Sequence, residues 1–358
     1  MAWPGEQRIW RNRADAAFDA VLADRLYPPH GKVFARRRWW LGRRYESLWP
    51  MAGAWSAACT LASLDDHAGV ADFLPLLFDG LAAYHPDGAA ALTGRGPIGF
   101  QSAVVPPLGP GGEVYYDDNG WLGLALLRHH ELTGDGQALS LARRLCDFVA
   151  SGWSTEPSWS HPGGVRWKEP GAAISRNACS NGPAAELAVR LHRITGAPGD
   201  LALAARTYDW VRSALLGGDH LYADRIAPDG TVAPHRWSYN QGTMIGAGVL
   251  LAEATGDPAY LAQAGATAAA CLGRFDLDAL VDREGPPFTA VLFRNLFLLD
   301  RVAPDPAYQA LAAEYGEVMW EDYRDRRTGL FGPGDSLLNA SAAMVQLYAL
   351  LAGAPPHP

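Results

Sequence analysis

The stretch that decides the fold is residues 131–149, ELTGDGQALSLARRLCDFV, where one helical pattern ends and another begins. A Thr-Gly pair stands at the break, and glycine accepts the left-handed conformation that ends a helix. The same pattern returns at residues 193–211, RITGAPGDLALAARTYDWV, and at residues 253–272, EATGDPAYLAQAGATAAACL. The Asp or Pro that follows each break is suited to start the next helix. The chain is therefore predicted to repeat a unit of two helices.

About twelve such helical patterns can be counted, from a first at residues 9–26 to a last at residues 337–352. No segment shows the sustained alternation of a β-strand. Repeated helix pairs build either an open solenoid or a closed toroid. The series starts and ends with an unpaired helix, and each of these can supply the partner that the other lacks. We therefore expect an all-α fold, a single (α/α)6 toroid over residues 1–358, with the open solenoid as the alternative.

The connections between the predicted helices alternate between tight and long. If the helices run alternately up and down, all the long connections emerge at one end, where the inner helices begin. Long loops on a rigid scaffold are where binding and catalytic sites are built. The six long connections are residues 28–40, 85–116, 154–175, 217–237, 276–287 and 322–335. The functional site is expected among them.

Composition excludes several classes of function. The net charge of −8 argues against nucleic acid as a partner, because a phosphate backbone requires clustered Lys and Arg. The four cysteines lie far apart without metal-ligand spacing, so we expect buried free thiols, no metal site and no cofactor. No apolar run is long enough for a membrane span. No obligate protein partner is evident from the sequence either.

The start of the chain, MAWPGEQR, carries charges where a signal peptide needs an apolar run. The sequence as it stands therefore predicts a cytoplasmic protein. A protein trimmed at its N-terminus would instead be consistent with secretion.

Asp117 and Asp118 are the sharpest chemical feature, because they adjoin the predicted start of an inner helix at the end with the long loops. Glycosidic cleavage uses two carboxyl groups, held about 5–5.5 Å apart in retaining enzymes. Neighbouring Cα atoms are about 3.8 Å apart, so divergent side chains can meet that separation. Two like charges this close also push their pKa values apart, which leaves one group protonated as an acid.

The alternative is that one of these aspartates only caps the helix that begins nearby, a role for which Asp is well suited. Asp65–Asp66 is an internal comparison, since the same dipeptide lies at a tight turn where capping explains it. The location among the long loops, beside Tyr116 and Trp121, favours catalysis for Asp117 and Asp118.

Aromatic and amide side chains near the same end are candidates for sugar binding. Aromatic faces stack on sugars but also fill gaps between helices, and amides either bind hydroxyl groups or satisfy loop backbone. Trp39, Trp40 and Trp167 are further possible platforms near the long loops. The substrate-binding candidates are Trp121, Tyr116, Asn177, Asn181, Trp237, Tyr239, Asn240, Gln241 and Arg294.

Several motifs together resemble glycoside hydrolase family 76, the endo-α-1,6-mannanase family. YYDDNGWLGLALLRHHELTGD (residues 115–135) is similar to its paired-aspartate helix. SRNACSNGPAAELAVRLHRITG and WSYNQGTMIGAGVLLAEATGD are similar to its Asn-rich and Tyr-Asn-Gln helices. FTAVLFRNLFLL and NASAAMVQLYALL look like later inner helices, and YESLWPMAGAW is a looser match to the first. The likeness runs in the right order through nearly the whole chain.

The resemblance implies an (α/α)6 toroid and a retaining mechanism without a metal, acting on α-mannan or related oligosaccharides. By position, it implies that Asp117 is the nucleophile and Asp118 the general acid/base. It also implies that Tyr239, Asn240, Gln241 and Arg294 bind substrate.

Two other functions stay open at this level. One is a sugar epimerase of the N-acyl-glucosamine 2-epimerase type, which needs a base beside a carbonyl. Its expected pocket histidines are missing, because His161 and His235 lie in predicted loops rather than at the openings of inner helices. The other is a carbohydrate-binding toroid without catalysis, against which the intact aspartate pair argues.

Overall fold

The computed structural model describes residues 4–25, 34, 45–64, 68–169, 175–332 and 337–354. Within these residues, helices of seven or more residues number twelve. They are α1 (Pro4–Arg25), α2 (Leu48–Ala62), α3 (Leu74–Gly80), α4 (Tyr116–Thr133), α5 (Gly136–Ser151), α6 (Ala178–Thr195), α7 (Pro198–Leu215), α8 (Ser238–Thr255), α9 (Pro258–Arg274), α10 (Pro286–Asp300), α11 (Pro306–Asp322) and α12 (Leu337–Gly353).

The even-numbered helices form a closed inner ring. Each packs against the next, in the order α2, α4, α6, α8, α10, α12, and α12 packs back against α2. The odd-numbered helices lie outside and pack on the inner helix of their own pair, apart from α1, which packs mainly on α12. This closure confirms the (α/α)6 toroid and excludes the open solenoid.

The inner and outer helices differ in burial because they have different neighbours. Helix α8 is buried on all sides from Asn240 to Leu251, since it contacts two ring neighbours and two outer helices. Helix α5 instead buries one face, which includes Leu141, Leu145 and Val149. An apolar stripe is typical of a helix with one face to solvent, and burial all round is typical of a central one.

The Thr-Gly breaks end helices as predicted. Gly134, Gly196 and Gly256 have φ angles of 75°, 70° and 73°, which is the left-handed conformation. Each preceding threonine donates its hydroxyl proton to the carbonyl four residues earlier; Thr133 reaches His129 O at 2.8 Å. The same hydroxyl accepts a hydrogen bond from the backbone N–H two residues later. One residue thus closes a helix and fixes the tight turn that follows.

The next helix is capped in a similar way. The Asp135 carboxylate accepts a hydrogen bond from Gln137 N, and Asp257 accepts one from Ala259 N. Pro198 and Pro258 occupy the first helical position, where the missing N–H costs nothing. Asp65 and Asp66, at the earliest break, lie outside the described residues.

The long loops lie at the opposite end from these tight turns. Two of them contribute a small antiparallel sheet, β1 (Arg176–Asn177), β2 (Arg225–Ile226) and β3 (Val232–Ala233), in that order. Arg176 pairs with Ile226, and Ile226 pairs with Val232. Because β1 leads directly into α6, the sheet joins the loops before α6 and α8 around the opening of the ring. No described helix is long and apolar enough to cross a membrane.

Candidate active site

Asp117 and Asp118 lie in the first turn of α4, at the end of the ring where the long loops gather. Both side chains are enclosed by protein on most sides, yet each keeps some surface in contact with solvent. Neither caps the helix, because Tyr115 holds the N-cap position and makes no side-chain cap bond. The capping alternative for this pair is therefore wrong.

The two carboxyl groups have different surroundings. Asp117 Oδ2 accepts hydrogen bonds from Trp167 Nε1 at 2.9 Å and from Cys179 Sγ at 3.3 Å. Asp117 Oδ1 accepts one from the backbone N–H of Asp118 at 3.0 Å. No hydrogen bond from another described residue reaches the Asp118 carboxyl group. Within the described part of the chain, one aspartate thus has three donors and its neighbour has none.

This difference in surroundings gives the two carboxyl groups different pKa values. Burial raises the pKa of Asp117, and the hydrogen bonds from Cys179, Trp167 and the backbone oppose that rise. Burial and the neighbouring Asp117 charge raise the pKa of Asp118 well above its usual range, and no donor from the described residues opposes them. Asp118 is therefore the carboxyl group that keeps its proton more readily, and Asp117 is the one that ionises first.

The partners of Asp117 come from elements distant in the sequence. Trp167 lies in the loop between α5 and α6, and its ring contacts Tyr115 at 5.0 Å between centroids. Cys179 is in the first turn of α6 and is buried and free, like the three other cysteines. Burial and the Asp117 charge raise the pKa of the Cys179 thiol well above its usual value, so it acts as a donor rather than a nucleophile.

A repeated amide clamp holds the loops around the site. Asn181 donates to Val165 O (2.9 Å) and accepts from Val165 N (2.7 Å), while Gln241 makes the same two contacts with Tyr222. Asn119 does so with Phe100. Each amide also donates to the carbonyl of its own helix's N-cap residue, at Tyr115, Asn177 or Trp237.

Because Asn181 and Gln241 are fully buried and already use their amide groups on backbone, they are not available to sugar hydroxyls. The prediction that these two residues bind substrate is wrong, and the backbone role that the sequence also allowed is the one observed. Trp167 lies two residues after the clamped Val165, and Asp224 lies two residues after the clamped Tyr222. The clamps thus set the position of loop side chains at the site.

Tyr116 does not join the site. Its ring is buried, stacks on Phe148 at 4.9 Å and packs with Val149, Val165 and Ala184 behind α4. Successive side chains on a helix point about 100° apart. Because Asp117 faces the opening of the ring, its neighbour Tyr116 points toward the outer layer. The expectation that Tyr116 binds substrate is therefore corrected.

The remaining predicted aromatic residues face the opening. Tyr239 stacks on Phe288 with centroids 4.2 Å apart, and Trp237 and Trp49 contact the same ring at 5.3 and 5.9 Å. Trp49, Trp237, Tyr239 and Phe288, here called the aromatic cluster, are all partly exposed. Neither Trp49 nor Phe288 was among the candidates from the sequence, where Phe288 looked like an ordinary apolar residue of α10. Trp39 and Trp40 lie outside the described residues.

Asn177 and Asn240 lie deeper than expected. The Asn177 amide oxygen accepts from Ser175 Oγ at 2.6 Å, and only a small part of the residue is exposed. Asn240 is fully buried beside Asp224. Burial raises the pKa of Asp224, against the lowering effect of Arg225 and smaller contributions from His235 and Asn240. Asp224 is a third carboxyl group near the site that sequence inspection missed.

Below the aromatic cluster, a narrow recess enters the centre of the ring. Trp49 and Pro287 lie on its wall, and Trp121 lies one helical turn beyond Asp117. Polar side chains also reach it, from α2, α10 and α12: Ser56, Arg294, Asn339 and Gln346. Trp121 and Arg294, two of the predicted substrate-binding residues, lie together here, with the guanidinium carbon 5.8 Å from the indole ring. Whether either residue contacts substrate stays a prediction.

Comparisons with known proteins identify relatives of this chain. A mannan endo-1,6-α-mannosidase of Candida glabrata is 29% identical over 157 residues, which cover 39% of this chain and 34% of that protein. The match thus spans about a third of the relative's length. Among solved structures, a family 76 α-mannanase of Bacteroides thetaiotaomicron superposes with a TM-score of 0.83 at 20% identity, covering 98% of both chains.

A second solved structure is an α-1,6-mannanase of Salegentibacter sp. HEL1_6, in an inactive variant with two neighbouring aspartates replaced by asparagine and with bound α-1,6-mannotriose. It has a TM-score of 0.78 at 24% identity, over 96% of this chain and 99% of that one. These structures support the fold. Residues 105–315, more than half of the chain, match the sequence model of Glycosyl hydrolase family 76. The chain belongs to that family.

Proposed function

We propose that this protein is a retaining glycoside hydrolase that cleaves α-1,6-mannosidic bonds within α-mannan or related oligosaccharides. The observation that carries the proposal is the unequal aspartate pair. Among the described residues Asp117 has three donors and Asp118 has none, and the pKa of Asp118 is the more strongly raised. Two adjacent carboxyl groups, one ionised and one protonated, are what a retaining glycosidase requires.

In the first step, an Asp117 oxygen attacks the anomeric carbon, and the bond from that carbon to the glycosidic oxygen breaks. Asp118 gives its proton to the departing oxygen, so that the leaving sugar ends as a neutral alcohol. A mannosyl ester of Asp117 results. In the second step Asp118, now a carboxylate, takes a proton from water, whose oxygen attacks the anomeric carbon and releases Asp117. Two displacements leave the product with the original α configuration.

The surroundings of Asp117 suit this role. Donors from Trp167 and Cys179 on one oxygen fix the orientation of the carboxylate and favour its ionised form. The aromatic cluster offers ring faces on which sugars can stack at the opening, as Tyr239 and Trp237 were expected to do. Family membership, the Candida relative and the mannotriose complex of the Salegentibacter protein support α-1,6-mannan as the substrate class.

The experiment is release of reducing ends from linear α-1,6-mannan oligosaccharides by the wild type, Asp117→Asn and Asp118→Asn. We expect cleavage by the wild type alone, with initial products in the α configuration by proton NMR. An inverted product would contradict the retaining mechanism. Cleavage that survives both substitutions would reject the site. Exchange of a sugar proton with heavy water, without new reducing ends, would instead favour the epimerase.

A further inference from the structure

A cluster of buried charge lies on the inner helices below the recess. Arg294 of α10 and Glu186 of α6 are 7% and 1% exposed, and their charged atoms Nη2 and Oε2 are 3.5 Å apart. Arg190, one turn further along α6, donates to Glu186 Oε1 at 3.0 Å. Arg128 of α4 donates to Thr60 Oγ1 at 3.1 Å. These four charged residues are here called the charge cluster.

The charge cluster carries more positive than negative charge. It contains three guanidinium groups and one carboxylate, and Glu186 is the sole ion-pair partner of these arginines within the described residues. Burial, Arg294 and Arg190 together lower the pKa of Arg128 to about 9, and burial lowers the pKa of Arg294. Both groups are still cations at neutral pH. A buried excess of positive charge is costly unless an anion or a set of acceptors compensates it.

Arg294 is the member of the cluster that reaches the recess. Its Nε and Nη2 atoms are buried and have no hydrogen-bond acceptor among the described residues, although Nη2 forms an ion pair with Glu186. The face of Trp121 and the amides of Asn339 and Gln346 line the recess with it. Gln346 also donates to Ser56 Oγ and Thr60 Oγ1, at 3.0 and 3.3 Å. Thr60 in turn connects this wall to Arg128.

We propose that the floor of the recess is a binding site for a phosphate-type oxyanion, held by the guanidinium of Arg294 and the amide of Asn339, while Gln346 uses its two N–H donors on Ser56 and Thr60. A guanidinium group offers two parallel N–H donors that fit the oxygens of such an anion. The anion would also compensate the excess charge of the cluster. Its source is either free phosphate or an anionic substituent on the sugar that occupies the recess. The second source rests on the proposed function.

The test measures thermal stability and calorimetric binding with inorganic phosphate as the probe, against chloride at equal ionic strength. For the wild type we expect phosphate to raise Tm and chloride to have no such effect, because a ligand of the folded state stabilises it. Arg294→Gln should weaken phosphate binding roughly tenfold or more, from loss of one charge at the site. Arg212→Gln on outer helix α7 is the matched control and should bind phosphate as the wild type does.

Glu186→Gln provides a second variant in case Arg294→Gln does not fold. Removing the single carboxylate leaves three cations, so phosphate should bind roughly tenfold more tightly. Absence of phosphate binding by the wild type would overturn the proposal. So would phosphate binding that Arg294→Gln and Glu186→Gln both leave unchanged.

The source of the anion is decided by comparing mannose 6-phosphate, mannose and inorganic phosphate. Tighter binding of the sugar phosphate than of either part identifies a sugar-borne anion. Equal binding of phosphate and the sugar phosphate identifies the free anion, and both results support the site. Cleavage of neutral α-1,6-mannotetraose in phosphate-free buffer is measured separately. This separate measurement distinguishes failure of the hydrolase proposal from failure of the proposal for the anion site.

Discussion

Trp167 donates its indole proton to Asp117 across 2.9 Å, although fifty positions separate the two residues in the chain. The contact depends on the amide clamp, because Asn181 holds both backbone groups of Val165, two residues before Trp167. A buried asparagine on α6 thus sets the hydrogen bonding of a carboxylate on α4. This relationship links the packing of the ring to the chemistry proposed for its opening.

The pH dependence of hydrolysis should be bell-shaped. The proposed mechanism requires Asp117 ionised and Asp118 protonated, and the pKa of Asp118 is raised the more strongly of the two. Activity should fall at low pH as Asp117 gains a proton and at high pH as Asp118 loses one. The measurement is kcat/KM on α-1,6-mannotetraose across the pH range. In Asp118→Asn the alkaline limb should vanish from whatever activity remains.

Cys179→Ala should move the acid limb of that profile to higher pH. Without the thiol donor, the ionised form of Asp117 loses one hydrogen bond, so its pKa rises further. Cys179→Ser keeps a donor and should keep the acid limb near its wild-type position. The two profiles are compared alongside Tm, which reports any general damage to packing. Identical profiles for the two variants would contradict a positioning role for the thiol.

Asp118→Asn should abolish turnover, by roughly 10³-fold or more, without lowering stability. Since the folded protein raises the pKa of Asp118, it binds this proton more tightly than the unfolded chain does. Stability from this group is fully present below the unfolded pKa and is lost as pH rises toward the folded pKa. The variant avoids that loss, so its Tm near neutral pH should equal or exceed the wild-type value. The advantage should shrink in acid, and a clearly lower Tm near neutral pH would indicate a structural role.

Asn181→Leu should reduce both stability and activity. It removes the hydrogen bonds to Val165 and leaves a buried N–H and C=O without partners, at a cost of about 2–4 kcal/mol in the free energy of unfolding. Displacement of Trp167 should also lower kcat. Gln263→Ala on outer helix α9 is the control and should change stability little, because the Gln263 amide donates to the Thr267 hydroxyl on the same helix. Urea unfolding and initial rates give both quantities.

Trp237→Ala should weaken binding of longer oligosaccharides more than it slows chemistry. Trp237 is partly exposed and contacts Phe288, away from the hydrogen bonds of Asp117. Loss of a stacking surface of this size corresponds to a KM increase of roughly tenfold, with kcat little changed. Steady-state kinetics with mannotriose and mannotetraose separates the two parameters. A fall in kcat alone would argue against a platform role.

The order of helices was predictable because its signals are local. Threonine, glycine, aspartate and proline act on the backbone within a few residues, so Thr133–Gly134 and its repeats mark helix ends wherever they occur. The paired aspartates were predictable for the same reason, since neighbours in sequence are neighbours in space. The number and spacing of these units then favoured a closed ring.

The direction of each side chain was decided only by the tertiary structure. Asn181 and Gln241 looked like amides that bind sugar hydroxyl groups. In the structure, backbone groups of loops distant in sequence take up the hydrogen bonds of these amides. Tyr116 and Asp117 are adjacent, but the helix turns one toward the outer layer and the other toward the opening. The linear order of residues accounts for the ring and for the adjacent carboxyl groups. Contacts between distant segments determined which aspartate receives donors, because hydrogen bonding and burial are set by neighbours that the linear order does not contain.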